Sequence, residues 1–385
     1  LSELHPDQRE EVIRAYFDPV HGLGYTLCRT HINSCDFSLG NYAYCDTPGD
    51  VDLADFSIAR DQELLIPFIQ DAMRISDADI RLLASPWSPP AWMKSNGAMN
   101  DGGELKPAYR AAWARYFTRY IEAYADVGIP IWAVTVQNEP RAHQTWDSCL
   151  YTHEQQRDFV RDFLGPTLVA EGHGGVKVLV WDHNKDEIQE CADVILSDPE
   201  ASRYIWGVAF HWYGGDHFDS LATIHRQYPD KALLFSEGCQ ENGVCMGSWD
   251  LGERYAHAII GDLNHWTTGW IDWNMVLNRQ GGPNHVGNYC DAPIIVDAET
   301  GTIHYQSAYY YIGHFSRFIQ PGAVRLGVQV EGAPLEATVA RNPDGSVVAV
   351  VMNPSDEEIS FVLRFDGRGA PVSLPAHAIS TLVIA

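Results

Sequence analysis

The stretch Trp132-Ala133-Val134-Thr135-Val136-Gln137-Asn138-Glu139-Pro140 begins as an apolar, β-branched run and ends on a carboxylate. Such a run reads as a buried strand that delivers an acid to the open end of a sheet. Similar runs predict strands at 24–32, 80–85, 131–136, 176–181, 206–211, 233–235 and 270–274. Helical periodicity predicts helices at 1–17, 61–76, 107–127, 153–171, 186–196, 216–228 and 250–266, with Ser2 capping the first. Strand and helix alternate seven times, which is the rhythm of a (β/α)8 barrel, class α/β. Seven strands are visible, and the missing one is expected ahead of Leu1. The pattern changes after Phe318. Short β runs follow at 328–330, 337–340, 347–351, 359–365 and 380–384, punctuated by the turn signals Asn342-Pro343-Asp344-Gly345 and Asp366-Gly367-Arg368-Gly369. The expected division is a catalytic barrel over 1–318 and an all-β sandwich over 319–385.

A parallel barrel collects its reactive side chains at the C-terminal ends of the strands. Counting the strand expected before Leu1 as the first, Glu139 ends the fourth and Glu237, in Leu233-Leu234-Phe235-Ser236-Glu237-Gly238, ends the seventh. They face each other across one mouth, where a gap of ~5 Å suits a retaining double displacement at a sugar. Other strand ends add Arg29, Asp36, Trp87, His211, Tyr213, Trp273 and Asn274. As a ring, these read as a sugar pocket with an aromatic floor and hydrogen-bond partners for hydroxyls. Asp182 and His183, at the end of the strand before His211, receive no role.

Composition narrows the partners. With 26 Lys+Arg against 51 Asp+Glu, the formal charge is −25, which argues against nucleic acid or an anionic membrane and fits a neutral carbohydrate. The eight cysteines form no Cys-x-x-Cys pair, so structural zinc is not expected and no disulfide is assigned. No apolar run approaches the ~20 residues of a transmembrane helix, and no signal peptide is recognised. A secreted or periplasmic setting is favoured over a cytoplasmic one. Oligomeric state is not legible.

Ser34-Cys35-Asp36-Phe37-Ser38, Ala84-Ser85-Pro86-Trp87, Asn138-Glu139-Pro140, His211-Trp212-Tyr213, Phe235-Ser236-Glu237, Asp272-Trp273-Asn274 and Gly313-His314-Phe315-Ser316 together resemble glycoside hydrolase family 30, which includes glucosylceramidases and β-1,6-glucanases. The resemblance implies a (β/α)8 barrel with a β-sandwich beside it, no cofactor, and retention of configuration. It implies that Glu139 is the acid/base, Glu237 the nucleophile, and Asn138 a contact of the sugar 2-hydroxyl. Asp36, Trp87, Trp273 and Asn288 would hold the glucose, with Arg29, His211 and Tyr213 around the carboxylates. Trp146, on the short loop after Glu139, is expected to face the leaving group. The substrate expected from that loop is a β-1,6-linked glucan or gluco-oligosaccharide, with a glucosylceramide-like lipid glucoside as the alternative. A non-catalytic carbohydrate-binding relative is disfavoured because both carboxylates are kept. A metal-dependent hydrolase would need clustered ligands, for which His183 and His211 are the candidates.

Overall fold

The computed structural model describes residues 1–384. Its centre is a parallel sheet of seven strands in sequence order: β1 (Leu27–Ile32), β2 (Arg81–Pro86), β3 (Ile131–Thr135), β4 (Lys177–Asn184), β5 (Ile205–His211), β6 (Ala232–Glu237) and β7 (Thr267–Trp270). Helices between successive strands cover its outer face, as parallel crossovers require. The last expected barrel strand, 270–274, sits earlier, at Thr267–Trp270. Beyond Trp270 the Ile271 and Trp273 amides still donate to the Phe235 and Gly238 carbonyls, while the Asp272 side chain accepts from the Tyr255 hydroxyl and the Trp273 amide.

Leu83, Ala133, Leu179, Ala209, Leu234 and Ile271 form one buried cluster, with Leu27 packed against it. This is an interior apolar layer, one residue from each strand or its extension. β1 and β7 are the edges of the hydrogen-bonded sheet, yet they meet through side chains. A Cβ on Gly269 would lie 2.6 Å from Leu27 Cδ2 and 2.9 Å from Leu234 Cδ1, so a side chain there would force these leucines to shift. The helix Pro6–Phe17 packs with Ile75, Ile80, Ile294 and Val296 in a second cluster.

After β7 the chain builds an unanticipated three-stranded sheet from β8 (Val276–Asn278), β9 (Ile294–Asp297) and β10 (Thr302–Tyr305), then the helix Ser307–Ser316. The C-terminal part comprises a four-stranded sheet of β11 (Val324–Leu326), β12 (Glu336–Arg341), β13 (Val347–Asn353) and β16 (Ala378–Ile384), and the hairpin of β14 (Ile359–Phe365) and β15 (Arg368–Leu374). The run Val328–Val330, expected as a strand, is not one; Val324–Leu326 pairs with β12 instead. The expected turn at 366–369 is shorter. Asp366 and Gly367 both have positive φ and make a two-residue hairpin loop, so Arg368 and Gly369 already belong to β15.

Every residue of β13 is buried. Val348, Val350 and Met352 join the main core, whereas Val347, Ala349 and Val351 sit in clusters with the hairpin. Period-2 alternation thus welds the sandwich to the barrel through one strand. No helix among the described residues is long and apolar enough to cross a membrane.

Candidate active site

One strand step above the apolar layer lies a polar one. Two residues after Leu27, Leu83, Ala133, Ala209 and Leu234 come Arg29, Ser85, Thr135, His211 and Ser236, which the strand period turns to the same interior. In β4 the step is three residues, from Leu179 to Asp182. Trp181 and Asp182 both have positive φ, and the pairing with β5 slips between Trp181 and His183. This irregularity inserts one residue. It buries the Trp181 ring next to His153 and brings Asp182 into the polar layer.

Asp182, fully buried, is the hub of that layer. Its Oδ2 accepts from Arg29 Nη2 at 2.7 Å and Thr135 Oγ1 at 2.7 Å; its Oδ1 accepts from Ser236 Oγ at 2.6 Å and faces His211 Nε2 at 3.0 Å. Burial alone would raise this carboxyl, but Arg29 and His211 hold it far below the usual carboxylate range. Arg29 also donates to Ser85 Oγ at 2.9 Å, to Asn138 Oδ1 at 2.8 Å and to Glu237. Its side chain is 2% exposed, so water does not share the charge.

Glu139 and Glu237 both approach one ring nitrogen of His211. Nδ1 of that ring is 3.4 Å from Glu139 Oε1 and 3.9 Å from Glu237 Oε1. Both oxygens thus sit within about 4 Å of one nitrogen, close enough to accommodate the ~5–5.5 Å carboxyl spacing of a retaining pair. Tyr213 donates to Glu237 Oε1 at 3.1 Å, and Gln144 Nε2 reaches Glu139 Oε2 at 3.5 Å. Glu139 has φ 46°, an uncommon conformation for a non-glycine residue, held by its amide on the Asp182 carbonyl at 2.9 Å.

Burial disfavours charge on all three groups. For His211, Glu237, Asp182 and Glu139 override it and raise the imidazole to about 9. Glu139 is likewise pushed up by burial, but His211 and His183 bring it below its ordinary value. Glu237 stays above its ordinary value, because burial and the repulsion of Glu139 outweigh the attraction of His211 and Arg29. The two carboxyls thus stand in the reverse order from the one their expected roles suggest.

The expected glucose-holding residues gather beside Arg29. Trp87 and Trp273 stack with ring centroids 5.0 Å apart, and the guanidinium lies 4.7 Å from the Trp87 centroid. Asp36 Oδ2 accepts from Asn288 and from Asn284, both at 3.0 Å. Burial, opposed by these amides, pushes Asp36 up to about 7. Asn284, on the same loop as Asn288 and not among the expected site residues, thus joins the Asp36 contacts. Trp146 is half-buried on the loop after Glu139 and stands outside the Trp87–Trp273 stack. His183, left without a role, has its Nδ1 3.9 Å from Glu139 Oε1.

Comparison with known proteins places this geometry. Residues 1–319 match the glycosyl hydrolase family 30 TIM-barrel domain, and residues 322–382 the family 30 beta sandwich domain. The chain is 41% identical to the lysosomal acid glucosylceramidase of Mus musculus, covering 98% of this chain and 77% of the mouse protein. It is 29% identical to an endo-1,6-beta-D-glucanase of Neurospora crassa, over 88% of this chain and 72% of that one. The crystal structure of SrfJ from Salmonella typhimurium superposes with a TM-score of 0.96 at 40% identity, covering 100% of this chain and 86% of that chain.

Proposed function

Because this chain belongs to glycoside hydrolase family 30, whose members similar to it include glucosylceramidases and endo-1,6-beta-glucanases, we propose that it is a retaining β-glucoside hydrolase in which Glu237 attacks the anomeric carbon while Glu139 protonates the leaving oxygen. The observation that supports these roles is the convergence of buried Glu237 and half-buried Glu139 on His211 Nδ1. Arg29 and Tyr213 donate to Glu237. They steer it as a nucleophile and receive the carboxylate again when the glycosyl ester is hydrolysed. A sugar entering the mouth displaces water from Glu139 and raises its proton affinity for the first step. Esterification then removes the negative charge of Glu237 near Glu139, which lowers the proton affinity of Glu139 and leaves it ionised to accept a proton from water in the second step. Trp87, Trp273, Asp36, Asn138 and Asn288 are the proposed glucose contacts, and the proposed setting is secreted or periplasmic.

For the aglycone, we propose a glucosylceramide-like lipid glucoside, supported by 41% identity to the mouse glucosylceramidase against 29% to the fungal glucanase. A β-1,6-glucan is the second reading, favoured by an endo-β1,6-glucanase structure that superposes over 98% of this chain with a TM-score of 0.88 at 30% identity. Incubation with glucosylceramide, gentiobiose and β-1,6-glucan, with products followed over time, separates the two. The lipid should be the faster substrate; preferential cleavage of the glucan would reverse the assignment. Glu237→Gln should abolish turnover of every substrate, and wild-type rates in that variant would remove it as nucleophile. Trp146→Ala should slow the preferred natural substrate severalfold, as expected for an aromatic contact of about 0.5–1.5 kcal/mol, and spare an aryl β-glucoside with a good leaving group. Equal damage to both would make Trp146 a packing residue.

A further inference from the structure

The irregularity in β4 has a second product beside Asp182. It sets the next residue, His183, against Glu139, so that two imidazoles and one carboxylate converge. One ligand atom from each of Glu139, His183 and His211 lies within 4.8 Å of the others, and Glu139 Oε1 is 3.4 Å from His211 Nδ1 and 3.9 Å from His183 Nδ1. Metal–ligand bonds of ~2.0–2.1 Å at tetrahedral angles separate neighbouring ligand atoms by ~3.3 Å, so the cluster needs only small closing movements. His183 Nδ1 is buried with no hydrogen-bond partner, so no other protein group competes for it. His211 is arranged as ligating histidines are: Nδ1 faces the cluster while Nε2 lies 3.0 Å from Asp182 Oδ1, the carboxylate contact that fixes the tautomer and raises ligand basicity.

Charge agrees with geometry. Three carboxylates, Glu139, Glu237 and Asp182, meet around these rings, and Arg29 is the guanidinium among them. With His183 neutral and the His211 proton displaced by the metal, the group carries two net negative charges, which a divalent cation would balance. Two nitrogen donors and one oxygen select a zinc-type ion over Mg2+, which takes oxygen ligands in octahedral geometry.

We propose that Glu139, His183 and His211 form a binding site for a zinc-type divalent cation, and that the bound cation inhibits hydrolysis. The inhibitory half rests on the assignment of Glu139 as acid/base: a carboxylate oxygen held by the cation cannot deliver a proton to the leaving oxygen. The cation takes no part in the reaction and excludes substrate from the mouth.

The test uses the whole protein and two readouts. Titration of the wild type with Co2+ should give the intense visible bands of a four-coordinate ion with nitrogen and oxygen ligands, displaced by Zn2+ and not by Mg2+. Zn2+ should inhibit aryl β-glucoside hydrolysis, reversibly with a chelator, whereas Mg2+ at the same concentration should not. His183→Asn should raise the Zn2+ concentration for half-inhibition about tenfold or more, each variant being scored against its own uninhibited rate. Absence of these bands in the wild type, or Zn2+ inhibition unchanged in a folded His183→Asn protein, would overturn the site. A sulfur-to-metal band insensitive to that substitution would do the same, by placing the ion on the exposed Cys245. If Co2+ binds at His183 while hydrolysis continues undiminished, the inhibitory role falls and with it the acid/base assignment of Glu139; the substrate panel and Glu237→Gln still judge the glycosidase reading independently.

Discussion

Two regions of this molecule hold an imidazole between carboxylates, and burial gives them different consequences. In the mouth, His211 is fully buried between Asp182 and Glu139. At the seam between barrel and sandwich, His257 bridges Asp216 at 3.0 Å and Glu336 at 2.8 Å, and His377 bridges Glu253 and Asp356, both at 2.9 Å. Both seam rings are 41% exposed. Distances are similar in the two places, but water can replace a lost partner only at the seam. The mouth is therefore a network in which each charge depends on the others, and the seam a set of nearly independent contacts laid over an apolar weld.

The strongest way to break this contrast is Arg29→Met. It removes the guanidinium shared by Asp182 and Glu237 and leaves both carboxylates buried without it. The expected loss of stability is about 3–5 kcal/mol, read from urea denaturation. A loss below about 1 kcal/mol would rank the mouth with the seam. Asp182→Asn is subtler, since it keeps the volume and deletes the charge. His211 then loses a counter-charge that orients it toward Glu139, and kcat/KM should fall on the order of 10²-fold in a folded protein. A change under threefold would show that Asp182 is a fold residue alone.

These same residues mark how far the mouth was legible in the sequence. Arg29 and His211 stood at strand ends on a regular period of two, and the two glutamates closed apolar runs, so their meeting could be argued from spacing. Asp182 could not. Counting by two from Leu179 selects Trp181, and only the two consecutive positive-φ residues that reset the strand replace it with Asp182. Nothing local announces that irregularity, because it is held by tertiary partners on β1, β3, β5 and β6. The sheet β8–β10 escaped for a related reason: its strands of three or four residues are too short for period to show. In the sandwich, Gly369 and Pro371 disguised β15 as loop. Proline is tolerated there because the hairpin is two-stranded and every strand in it is an edge. The barrel–sandwich weld was legible as the apolar run of β13, but its polar seam was not, since each imidazole there draws its carboxylates from elements distant in sequence.

The smallest effect sharpens the comparison from the seam side. His257 is raised to about 9, first by its bond to Glu336, against partial burial, and then by Asp216. An unfolded imidazole titrates near 6.5, so the folded protein holds this proton more tightly. The resulting stabilisation is complete below about pH 6.5, declines as pH rises from there, and is gone above about 9. Because the ring is 41% exposed, solvent screens the interaction, and His257→Asn should cost no more than about 1 kcal/mol even at pH 6. The measurement is the difference in Tm between wild type and variant at pH 6 and at pH 10. A small difference at pH 6 that vanishes at pH 10 is expected. A difference that persists at pH 10 would mean that His257 holds the seam by packing, through its neighbour Phe218 at 5.7 Å between ring centroids, and not by charge.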